Sequence, residues 1–273
     1  MSMSASKGNT PSREHLAYVK KIKQYKTCIR VSQIALLVLF FTLWELAATL
    51  GWIDPFIMSQ PSRIAKTIMD LANEGILFKH ISVTMGETIV AFTTGTLIGT
   101  LFAIILWWSD FLSKVADPYI VVLNALPKVA LGPIIIVWVG AGPASIIVMA
   151  LLISIVITII GVLNGFREVS PDRIKLLETF GANKFQILKK VVLPASIPTM
   201  IAVLKINVGM SWVGVITGEF LVSRAGLGYL AVYGGQVFRL DLVMSSVLIL
   251  AIAAALMYQG VAWLEKRYLK WRQ

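Results

Sequence analysis

Six apolar stretches, each about the length needed to cross a bilayer as a helix, recur along this chain: Val31 to Leu50, Ser82 to Trp108, Asp117 to Val139, Pro143 to Leu163, Ser196 to Gly218 and Leu240 to Ala262. Runs of that length leave no solvated face for a soluble domain, so they predict an all-α, polytopic membrane protein. Composition agrees. Only 14% of the 273 residues are charged and 57% are hydrophobic, where soluble domains carry about 25% charge. One membrane domain, residues 31–273, then follows a basic tail, residues 1–30, and the first apolar run reads as a retained span rather than a cleaved leader.

The net charge of +11 raises the question of a nucleic-acid partner. Its distribution answers with a lipid bilayer instead. If the N-terminus is cytoplasmic, 18 Lys and Arg fall on the cytoplasmic side and five outside, with Lys128 and Lys205 inside spans; that asymmetry predicts cytoplasmic N- and C-termini in the inner membrane. Trp44, Trp52, Trp107, Trp108, Trp138, Trp263 and Trp271 sit near the expected span ends, as an interfacial aromatic belt does. Between the first two spans, Pro61 and Ser62 precede Ile64, Ile68, Leu71 and Leu77 at nearly helical spacing, which predicts an amphipathic helix on the outer surface. Gly95 and Gly99 form a GxxxG that permits close helix approach.

The chain holds no GxxxxGK[ST], HExxH, CxxC or GxSxG motif, a single cysteine, Cys28, and two histidines, His15 and His80, both read as outside the spans. Catalysis, a disulfide framework, a metal site and a bound cofactor are therefore not expected, and the chain reads as a non-enzymatic component.

About 30 residues separate spans four and five, where helix connections in bundles take about two to eight. Ser170 is placed to cap a helix begun by Pro171, with Asp172 near its positive end, and Gly181 to end it in a left-handed turn. A second short helix, Asn183 to Val191, follows, and Pro194 starts span five. Residues 164–195 thus form a helix, a glycine elbow and a helix, held as a knob at the cytoplasmic surface.

In this segment the chain resembles the permeases of binding-protein-dependent ABC importers, in the branch that serves nitrate, sulfonate, taurine and thiamine precursors. Their signature is Glu-Ala-Ala, three residues, Gly, nine residues, then Ile-x-Leu-Pro. Gly181 matches the glycine, and Val191-Val192-Leu193-Pro194 ends the motif at the required spacing. Lys175, Leu176 and Leu177 stand where the family has Glu-Ala-Ala, and Glu178 offers a carboxylate one turn later. The runs from Leu126 to Gly142 and from Gly226 to Leu230 are similar to the branch's third span and outer loop.

The resemblance implies a type I importer permease. Two copies would form the pathway, two separate ATPase subunits would receive the knobs in surface grooves, and an extracytoplasmic binding protein would deliver the solute. The coupling residues it implies are Pro171, Lys175, Leu176, Leu177, Glu178, Thr179, Phe180, Gly181, Ala182, Asn183, Leu193 and Pro194, with Leu176, Leu177 and Phe180 filling the groove.

Charged side chains at membrane depth cost about 2.5–3.5 kcal/mol each on insertion scales and default to functional hypotheses. Lys128, after Pro127 in span three, either faces an anionic solute in the pathway or pairs with a carboxylate. Lys205, Asn207, Ser211 and Thr217 interrupt span five and either line the pathway or pack; Glu219 is expected at the outer mouth beside the Arg224 loop. Glu45 and Glu87 reach the interface or serve function. The rival reading is a secondary transporter driven by an ion gradient, for which the paired repeats such folds show are not visible here.

Overall fold

The computed structural model describes residues 13–268, and among these there are helices but no strands. Among the described residues five helices are long and apolar enough to cross a membrane, and there are six spans if one bent pair is taken as a single broken span. Two units divide at Arg63.

In the first unit, α1 runs Arg13–Thr49 and a single turn, α2, runs Pro55–Met58. Residues 13–30, read from sequence as tail, are continuous with the span in one helix; residues 1–12, the rest of that tail, lie outside the described residues. Asp54 caps α2 by accepting from the Phe56 amide at 2.8 Å. The Glu45 carboxylate accepts from the Ser62 amide (3.0 Å) and hydroxyl (2.8 Å), at the first turn of α3, Pro61–Asn73. A carboxylate there complements the helix's positive end.

The second unit carries the bundle. Ile64 and Thr67 of α3 are buried, as the amphipathic reading requires, but Leu77 belongs to the next helix, α4, Ile76–Trp108. His80 also lies on α4, inside a candidate span and not outside it as expected from sequence. Span three is not one helix. It consists of α5, Asp110–Ala125, a 3₁₀ turn at Lys128–Leu131, and α6, Gly132–Val139, bent by 84° at the break. The cause is Pro127, which keeps the preceding Leu126 extended (φ −63°, ψ 133°) because its ring clashes with a helical neighbour.

Helix α7, Pro143–Arg167, is the centre of the unit, flanked by α4 and by α10, Leu193–Val222. Small residues set the spacing: Gly95 and Gly99 of α4 face Ser154 and Thr158 of α7, and Gly214 and Gly218 of α10 face Ala150 and Ile146. With lipid outside, tight van der Waals packing of this kind holds membrane helices together. A short α11, Leu227–Gln236, and the final α12, Leu240–Tyr268, close the bundle. Asp241 at the start of α12 accepts from Thr67 at 2.8 Å. Trp271 and the basic residues beyond Tyr268 lie outside the described residues.

Candidate functional site: an exposed helical elbow and a buried polar cluster

The elbow is built from α8, Pro171–Thr179, and α9, Lys184–Ile187. Ser170 holds the N-cap position, yet its hydroxyl makes no capping bond; its carbonyl accepts from the Arg173 amide. The C-terminal end is better specified. The Ala182 amide donates to the Leu177 carbonyl (3.0 Å) and the Gly181 amide to that of Glu178 (2.9 Å), the Schellman pattern, with Gly181 at φ +76° supplying the left-handed residue that this motif needs. Leu177 and Ala182 both pack on the same apolar cluster, the hydrophobic contact that accompanies the motif.

One residue on, Asn183 opens α9 with a reciprocal capping box. Its side chain accepts from the Gln186 amide and the Gln186 side chain from the Asn183 amide, each at 2.9 Å. The Asn183-x-x-Gln186 spacing is the sequence signature of such a cap. Beyond α9 the chain does not break at Pro194. A π-helical turn, Leu188–Val192, carries it straight into α10, since widening the ladder there accommodates the proline's missing N–H.

The base of the elbow is anchored. Ile187, Leu188 and Val192 are buried against Leu106 of α4 and Phe166 of α7. The Lys184 ammonium donates to the Trp108 carbonyl at 2.6 Å and lies 5.7 Å from the Trp107 ring, while Arg167 donates to Ser113 at 2.7 Å. Its tip is bare: Phe180 is 80% exposed and Leu176 56%, and Pro171, Lys175, Glu178, Thr179, Gly181 and Asn183 are exposed as well. Leu177 differs from the expectation for it. It is half-buried in the elbow's own base, leaving Leu176 and Phe180 exposed at the tip, with Phe185 of α9 exposed as well. Leu193 and Pro194 are half-buried at the root of α10.

The suspected pathway residues do not form one cluster. Lys128 follows the Pro127 break and donates to the Asn124 carbonyl at 3.0 Å. Lys205 is paired with Glu265 of α12 at 2.5 Å. Asn207 donates to Thr96 at 2.8 Å, Ser211 is buried with an unpartnered hydroxyl, and Thr217 donates back to the Val213 carbonyl.

Glu219 is the exception. It lies inside α10 rather than beyond it, 1% exposed, accepting from the Thr84 hydroxyl and the Gly228 amide, both at 2.6 Å. Around it the Leu227 amide donates to Thr84 (2.8 Å) and the Gly226 amide to His80 Nδ1 (2.8 Å). The loop before α11 is thereby fastened to α4. Gly226 is at φ +119°, and a β-carbon added there would run into the Glu219 carboxyl. Sequence reasoning missed His80 and Thr84; their signal was a polar stripe, His80, Thr84 and Glu87, at helical spacing on an otherwise apolar span.

The match to known proteins follows this geometry. Residues 95–270 match the family described as binding-protein-dependent transport system inner membrane component. A probable ABC transporter permease protein of Haemophilus influenzae is 31% identical over 83% of this chain and 92% of its own length. The taurine transport system permease protein TauC of Escherichia coli is 26% identical over 87% and 88%, and further relatives are named for aliphatic sulfonates, riboflavin and formylaminopyrimidine. The permease fold of the inward-facing MetNI methionine ABC transporter superposes with a TM-score of 0.64, covering 72% of this chain and 98% of that one at 18% identity. Five to six candidate spans with a glycine elbow before the last two, and a family match over residues 95–270, make this chain a member of the binding-protein-dependent transport system inner membrane component family, a multi-pass permease subunit of an ABC importer.

Proposed function

We propose that residues 171–194 are the coupling element of this permease and that each of two copies seats its elbow in a groove of a separate ATPase subunit. The observation that carries this reading is the contrast within the elbow: an anchored base and an exposed apolar tip at Leu176 and Phe180. Apolar anchors that enter a partner's pocket supply most of the affinity of a docking site, and a base locked to α4 by Lys184 passes the motion of the tip into the bundle. The positive-inside bias supports a cytoplasmic elbow and cytoplasmic termini; in that orientation the Gly140–Gly142 turn and the Gly226 loop would face the binding protein. ATP-driven closure of the ATPases would switch the paired spans between inward-open and outward-open states, while this chain performs no chemistry. The relatives' names point to a small solute, either a sulfonate-like anion or an aminopyrimidine- or flavin-like compound.

Co-purification tests the reading. The tagged chain should retain an ATPase from membranes, and the double variant Phe180→Asp/Gly181→Val should lose it while staying folded. A wild-type chain that purifies alone and transports under an ion gradient would replace the importer reading with a secondary transporter.

A further inference from the structure

Helix α1 is longer than the bilayer needs. It runs unbroken from Arg13 to Thr49, and that stretch holds neither glycine nor proline, the residues at which helices kink. About 20 residues fill the hydrocarbon core, and Val31 to Leu50 supply them. Residues 13–30 therefore leave the bilayer along the axis of the span and, at 1.5 Å per residue, reach about 27 Å beyond it.

This extension has two faces. Tyr18, Ile22, Tyr25 and Ile29 recur at intervals of four, three and four, which aligns them in one stripe. All four are exposed, Tyr18 to 64% and Tyr25 to 70%. Lys21 borders the stripe on one side and Lys26 on the other, while Lys20, Lys23 and Thr27 fall on the opposite face. The stripe continues in register through Leu36 and Leu43 of the span, where lipid tails cover it. Ahead of Arg30 only water or another molecule can.

Geometry and charge separate the possible occupants. A membrane surface would require the helix to turn back onto the headgroups, and α1 has no break at which to turn. A second copy in a parallel pair would set Lys21 of one helix against Lys26 of the other, since residues bordering such a stripe meet across the interface five positions apart, and like charges there oppose pairing. A groove in another protein, apolar at its floor and lined with carboxylates at its rim, satisfies the stripe and both lysines.

We propose that residues 18–29 of α1 dock in such a groove on the ATPase subunit, a contact separate from the elbow. The proposal rests on the importer reading above and its cytoplasmic N-terminus. Tyr18 and Tyr25 are the anchors, tyrosine being enriched among the residues that dominate interface energies, and Lys21 and Lys26 face the rim carboxylates. Each permease copy then holds its ATPase at two points, and linked contacts bind more tightly than either alone.

Photocrosslinking in intact membranes tests this contact. p-Benzoylphenylalanine replaces Tyr18 or Tyr25 on the stripe, or Lys20 or Thr27 behind it, in the full chain expressed with the ATPase that co-purifies with it. The stripe positions should capture that ATPase and the back positions should not. Capture from both faces alike, capture of lipid or of a second copy instead, or no capture from the stripe overturns the proposal. Charge placement gives the second readout. Lys21→Glu/Lys26→Glu should weaken ATPase retention by about tenfold or more at low salt, whereas Lys20→Glu/Lys23→Glu, the same change of charge on the opposite face, should leave it nearly unchanged. Equal losses from the two pairs would reveal a diffuse attraction and overturn the docked stripe. A chain that keeps its ATPase, loses it in Phe180→Asp/Gly181→Val and shows no labelling from the stripe loses this contact alone; a chain that retains no ATPase loses the importer reading as well.

Discussion

Gly181 and Gly226 both hold left-handed backbone, at φ +76° and φ +119°, and they lie at opposite ends of α10. A β-carbon on Gly181 would meet nothing within 4 Å, whereas one on Gly226 would strike the Glu219 carboxyl. The first glycine serves a turn whose surroundings are open; the second serves a turn and a close approach. The proposed docking elbow has open space around its glycine. The Gly226 loop is tied by side chains of α4, a helix distant in sequence. One residue type thus marks an open turn at the proposed docking element and a locked one at the other end.

The largest expected effect follows from the locked end. Gly226→Val adds backbone strain to a steric conflict with Glu219, together about 3 kcal/mol or more, and should lower the melting temperature in detergent markedly. A variant that melts with the wild type would mean that the loop is free to move away from α4. Next comes Glu219→Leu. It orphans the buried Gly228 amide and the Thr84 hydroxyl, and unsatisfied buried donors cost about 1–3 kcal/mol each. Thermal melting should show a loss of about 2–4 kcal/mol, with Glu219→Gln, which keeps an acceptor oxygen, losing clearly less.

The two ends also differ in how far sequence reveals them. The elbow is local: Pro171, Gly181 and the Asn183/Gln186 box are all within a few residues of their partners, so its turn is readable from spacing alone. The run of apolar spans is readable for the same reason, each being a continuous segment. What spacing does not reveal is competition from backbone detail, as at Pro127, which splits span three, and at Pro194, which a preceding π turn absorbs without a break. The buried cluster is harder still. Thr84 meets Glu219 across 135 residues, and only the polar stripe on α4 marks one half of the pair. Lys205 shows the same difficulty, since its partner Glu265 is on another helix 60 residues away.

At the open end the effects on stability shrink while those on coupling grow. Gly181→Val leaves the packing untouched and costs only the penalty of a β-branched residue in a left-handed turn, about 1–2 kcal/mol. Transport driven by the ATPase should fall steeply as the elbow reopens to a different angle. Normal transport by this variant would show that the elbow's geometry does not carry the coupling.

Phe180→Asp is expected to change stability least of all. The ring is 80% exposed, and substitutions at such sites stay within about 0.5 kcal/mol, so its melting curve should overlay that of the wild type. Retention of the ATPase should nonetheless drop, because a charge cannot replace an apolar anchor in a desolvated groove. The pairing of those two readouts separates docking from folding. If Phe180→Asp melts normally and keeps its ATPase, Leu176 and the backbone of the elbow must hold the partner without the ring. If it melts early, the ring contributes to the fold despite its exposure, and the contrast between a free tip and an anchored base has to be redrawn.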